Sequence, residues 1–68
     1  MNYSAVILNL QHSIQEEHKA AAVYRLRAKS ADPVTRKLYL HIALEEMGHA
    51  RQYEARLAVV RRTQKRGK

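Results

Sequence analysis

The stretch AKSADPVT, residues 28–35, decides the fold, because it holds the one strong break in an otherwise helical pattern. Pro33 is the single proline; Asp32 before it can cap a helix N-terminus, and proline suits a first helical turn. A second helix is therefore expected to begin here. Towards the N-terminus, Tyr3, Ile7, Leu10, Ile14, Glu17, Ala21, Tyr24 and Ala28 recur at alternating steps of four and three, the signature of a buried helical stripe from about Tyr3 to Lys29. Towards the C-terminus, Tyr39, Ile42, Glu46, His49, Tyr53, Arg56 and Val60 repeat that spacing, with Leu38 and Leu57 widening the seam. A short link between two helices makes them antiparallel neighbours. The expected fold is all-α: a two-helix antiparallel hairpin over residues 1–62, followed by a flexible basic tail at 63–68.

Size limits how such a hairpin can hold together. With 68 residues, a lone core supplies only about 3–5 kcal/mol, and chains this short lean on disulfides, metals or association. The chain has no cysteine, so metal or self-association remains. No Phe or Trp is present, and the 46% apolar fraction is largely Ala, Leu, Val and Ile, a palette for close helix packing. The net charge of +7 suggests an anionic partner, but five of the thirteen Lys and Arg lie in the terminal RRTQKRGK. No apolar run approaches the roughly 20 residues of a membrane span, and YSAVILNL lacks the basic lead of a signal peptide. A cytoplasmic location with no membrane partner is the expectation.

Three polar residues interrupt the two stripes: Glu17 on the first, Glu46 and His49 on the second. Burying an unpaired carboxylate costs several kcal/mol, so each needs a partner or a metal. Glu17 and Glu46 each lie about 14 residues from the turn, roughly 21 Å along their helices, and should face each other at one level. Glu46 and His49 are three apart, so a carboxylate oxygen and an imidazole nitrogen can converge on one ion. One hairpin offers too few ligands to fill the coordination shell of iron or manganese. Two hairpins about a two-fold axis would supply a Glu from each of two helices and a Glu-x-x-His from each of the others, the ligand set of di-iron and di-manganese four-helix bundles.

EEHKAAAVY, residues 16–24, and IALEEMGHARQYEARL, residues 42–57, resemble the two helices of the rubrerythrin branch of the ferritin-like superfamily. The architecture resembles that of encapsulated ferritins, in which one hairpin dimerises to build the site. In that family a first-helix ligand Glu precedes a Tyr by seven positions, which matches Glu17 and Tyr24; the second-helix pattern E-x-x-H-A matches Glu46, His49 and Ala50. The resemblance implies a carboxylate-bridged site with two Fe per dimer, or Mn in their place, at which Glu17, Glu46 and His49 are both metal ligands and catalytic residues. It implies oxidation of Fe(II) by dioxygen or peroxide in a homodimer or a higher oligomer of it. The basic C-terminus departs from the peptide that directs cargo into an encapsulin shell, and the cysteines of a rubredoxin centre are missing.

Other residues have plainer roles. Tyr24 and Tyr53 read as amphipathic core residues that could also hydrogen-bond a metal ligand, and Glu45 and Glu16 as neighbours of the stripe facing solvent or a subunit boundary. His12, His18 and His41 fall off the stripe and read as surface residues. Gly48 costs a helix about 1 kcal/mol relative to Ala and reads as a point of close approach beside His49. The competing reading of the whole chain is a basic helical dimer, regulatory or structural, whose buried polar cluster only fixes register and whose tail contacts nucleic acid.

Overall fold

The structure, a computed structural model, describes residues 2–66. It consists of two helices, α1 (Tyr3–Lys29) and α2 (Pro33–Arg66), joined by Ser30–Asp32 and packed along each other as a hairpin 54 Å long and 13–14 Å across. The start of α1 is set by Asn2, whose side-chain oxygen accepts the Ala5 N–H at 3.1 Å. Asp32 does the same for α2, accepting the Thr35 N–H at 3.1 Å. Thr35, through its side chain first and this N–H second, holds the Asp32 carboxyl below its usual pKa. At the end of α1, Ser30 adopts φ −107°, ψ 9°, so the turn is made without any left-handed residue. Arg36 reaches back from α2 and donates to two carbonyls there, Nε to Ala28 O at 3.0 Å, which also accepts the Ala31 N–H at 3.3 Å, and Nη2 to Ala31 O in the turn at 3.1 Å. A side chain from the second helix thus finishes the first.

Small residues form the seam. The buried side chains among the described residues are Ala21 and Ala28 on α1 and Ala43, Ala50, Leu57 and Val60 on α2. Alanines at seven-residue intervals let the two backbones approach closely. All eight members of the α1 stripe, Tyr3 to Ala28, are buried or half-buried, as their spacing predicts. On α2 the stripe needs correction. Tyr39, Ile42, Glu46, Leu57 and Val60 lie in or beside the seam, whereas His49, Tyr53 and Arg56 are exposed and Leu38 is 54% exposed. The residues that face α1 are Ala43 and Ala50. Steps of three and four starting from Leu38 define a second stripe, Leu38, Ile42, Glu45, His49, Tyr53 and Arg56, running alongside the seam on one flank of the hairpin.

Two further expectations change. Gly48 is not a point of close helix approach: a Cβ placed there meets nothing within 4 Å. The tail expected to be flexible from residue 63 is helical as far as Arg66, with Thr63 Oγ1 donating to Val59 O at 2.9 Å; residues 67–68 lie outside the described residues. Gln, Lys and Arg are good helix formers, so the helix continues through them to Arg66. No helix among the described residues is long and apolar enough to cross a membrane.

Surface area shows what a lone hairpin leaves undone. A compact monomer of 7.9 kDa exposes about 4,400 Å², whereas this chain exposes 5283 Å². Large apolar side chains are part of that surface: Leu8, Leu26 and Leu44 are each about two-thirds exposed, and Val34 is 80% exposed.

Candidate metal centre

Glu17 enters the site from the middle of α1, where its place in the apolar stripe leaves its side chain only 19% exposed. Glu46 and His49 come from α2, three residues apart, so both project over the same turn. One ligand atom from each of the three residues lies within 4.8 Å of the other two, close enough for a single ion to touch all three. The helix register produces this meeting: with a three-residue turn and two continuous helices, residues equally far from the turn come to one level.

The electrostatics of the cluster are unresolved by protein groups alone. Glu17 Oε2 is buried and has no hydrogen-bond partner among the described residues. It sits 3.5 Å from His49 Nδ1, a distance at the edge of hydrogen bonding, and the imidazole is charged only when protonated. The Glu46 carboxyl is pushed above its usual pKa, first by its contact with the Glu17 carboxyl, with which it would share a proton, then by desolvation and by the Glu17 charge; His49 acts in the opposite direction. The Glu17 carboxylate thus makes ionisation of Glu46 less favourable, and a cation placed between them would offset that.

The neighbouring residues are placed as follows. Tyr24, half-buried, stacks against Tyr39 with ring centroids 5.9 Å apart, and the Arg27 guanidinium lies 5.6 Å from its ring centre. Neither Tyr24 nor Tyr53 hydrogen-bonds Glu17, Glu46 or His49 among the described residues, and Tyr53 is 36% exposed on the open flank. Glu45 pairs with His41 at 3.4 Å, in solvent, and reaches the site only as a small repulsive influence on Glu46. His12 pairs with Glu16 at 3.9 Å one turn along α1, and His18 reaches across to Glu54 on α2 at 3.5 Å. All four histidines thus sit near a carboxylate. The i,i+4 spacing of His12–Glu16 and His41–Glu45 is visible in the sequence; the His18–Glu54 bridge, which depends on how the helices are rotated, is not.

The donor set suits a hard divalent cation. Two carboxylates and an imidazole match the preferences of Fe(II) or Mn(II), and the buried, unpartnered Glu17 oxygen is the atom such an ion would satisfy. One chain supplies three donors on a flank open to solvent, with Leu38, Ile42, Tyr53 and Arg56 beside them. Compared with known proteins, the chain matches no family model, no curated protein and no solved structure.

Proposed function

We propose that two copies of this hairpin pair through the flank that carries His49, forming a ferritin-like four-helix bundle with a shared di-metal carboxylate site that oxidises Fe(II). The observation that carries this reading is the convergence of Glu17, Glu46 and His49, with a buried Glu17 oxygen lacking a partner. Pairing supplies what one chain lacks. A second copy doubles the donors to four carboxylates and two imidazoles. The apolar and small residues of the flank, among them Leu38, Ile42 and Ala20, fit such a contact, and cytoplasmic residence fits the absence of cysteine.

Glu17 and Glu46 would hold the metals through their carboxylates, with His49 as the nitrogen ligand on each. Iron or manganese bound there supplies one-electron redox chemistry and open positions for dioxygen or peroxide. Two Fe(II) yield two electrons, the number one peroxide needs to become two waters, so a pair of irons per dimer matches the oxidant. A cation bound there would offset the Glu17 charge that helps raise the Glu46 pKa.

A second reading has one observation in its favour. His–Glu pairing recurs at His12–Glu16, His18–Glu54 and His41–Glu45, so His49–Glu17 would be one more such pair, fixing register in a bundle without chemistry. Fe(II) oxidation under air separates the two. The metal-site reading expects turnover in the wild type and its loss in Glu46→Ala and His49→Ala, both still dimeric by sedimentation. Turnover at the wild-type rate in both variants rules that reading out.

A further inference from the structure

Formal charge divides along the hairpin. The five Glu lie in the middle, at 16, 17, 45, 46 and 54, and the turn end carries Arg25, Arg27, Lys29, Arg36 and Lys37 against the single acid Asp32. Each partner already assigned removes one group from consideration. Asp32 is committed to the Thr35 N–H, Arg27 lies over the Tyr24 ring, and Arg36 spends Nε and Nη2 on the carbonyls at the end of α1. That last contact matters, because it offsets the negative end of the α1 dipole that would otherwise account for nearby cations and repel an anion.

Arg25 and Lys29 are different. Among the described residues neither has a carboxylate within 4 Å and neither donates a side-chain hydrogen bond. They sit four apart on one helix, a spacing at which like charges repel. With the outer edge of Arg36 they line an open cleft of about 490 Å³ floored by Ala28 and Leu40 near the turn, away from the stripe that carries His49. An anion placed between them would turn that repulsion into attraction to both. A phosphate group fits: its oxygens accept charge-assisted hydrogen bonds from a guanidinium fork and an ammonium together, and Leu40, 44% exposed, offers an apolar surface for whatever the phosphate carries.

We propose that the cleft formed by Arg25, Lys29 and Arg36 beside the turn is a binding site for a phosphate group, separate from the carboxylate cluster. The test is calorimetric titration of the metal-free full chain at low salt with inorganic phosphate and, in a parallel arm, with phenyl phosphate. Metal-free protein removes iron-bound phosphate as a source of heat, so the result does not depend on the di-metal reading. The expected result is saturable binding of one phosphate per chain that weakens about tenfold or more in Arg25→Gln/Lys29→Gln and changes less than about twofold in Arg27→Gln/Lys37→Gln. Both double variants lower the net charge equally, so only a built site separates them. Tighter binding of phenyl phosphate assigns an organic phosphate as the ligand, and equal binding assigns free phosphate. Absence of saturable binding in both arms, or equal loss in both double variants, overturns the proposal.

Discussion

Replacing Ala50 by Leu tests the seam on which the site depends. Ala50 is fully buried and lies one turn beyond Glu46, on the side of α2 that meets α1. Three added carbons have no cavity to enter, so either the helices separate or the side chain takes a strained rotamer, at a cost of about 1–3 kcal/mol. For a chain of this length that is a fall in Tm of roughly 4–8 °C per kcal/mol, read from the helical circular dichroism signal at fixed protein concentration, because association shifts Tm as well. Ala55→Leu is the control: Ala55 is exposed, and a Leu there should change stability by no more than about 0.5 kcal/mol. Separation of the helices at this level would also pull Glu17 from Glu46, so metal retention should drop in Ala50→Leu alone. Equal Tm values for the two variants would refute the close-packed seam, and with it the geometry of the site.

Other perturbations carry definite signs. Gly48→Ala should stabilise the protein by about 0.8–1.0 kcal/mol in urea titration, since a Cβ there meets nothing and helix propensity alone changes; destabilisation would mean a second chain packs on that face. Glu46 has a raised folded-state pKa, so its contribution is favourable below its ordinary value of 4.5 and is lost as pH rises through the folded pKa. In metal-free protein, Glu46→Gln should therefore raise Tm at neutral pH, and that gain should vanish below pH 4.5; a gain that is independent of pH contradicts the shared proton. Asp32→Ala should lower Tm above pH 3.8, where the carboxylate caps α2, with the difference narrowing as acid protonates it.

Most of the fold is legible in the residues themselves. One proline preceded by a capping aspartate marks the turn, and the α1 stripe follows a strict four-three rhythm whose eight members are all buried or half-buried. The α2 stripe misleads for a physical reason. Two rows of residues run side by side on it, one facing α1 and one facing outward, and the bulky members, His49 and Tyr53, belong to the outward row. The seam itself is built from Ala43 and Ala50, which attract no notice when bulk is taken as the mark of burial. Their seven-residue spacing, matching Ala21 and Ala28 on α1, is the signal that reveals it.

The candidate site was legible for the same reason the seam was partly hidden. Glu17 and Glu46 break apolar rhythm at equal distances from the turn, and depth along a helix follows from a rise of about 1.5 Å per residue. Rotation about the helix axis is not fixed that way, so the exposure of His49 and the engagement of Tyr24 with Tyr39 and Arg27 emerge only from the packed hairpin. The exposed flank has the same origin. Two helices side by side leave His49 facing solvent, and in the proposed dimer a second hairpin covers it.

The most direct test of the shared di-metal site is the iron content per chain after anaerobic loading with Fe(II) and desalting, measured together with the oligomeric state. The account predicts about one tightly held iron per chain, two per dimer, falling to near zero in Glu46→Ala. Negligible iron in the wild type, or iron retained equally by a monomer and by Glu46→Ala, would contradict it.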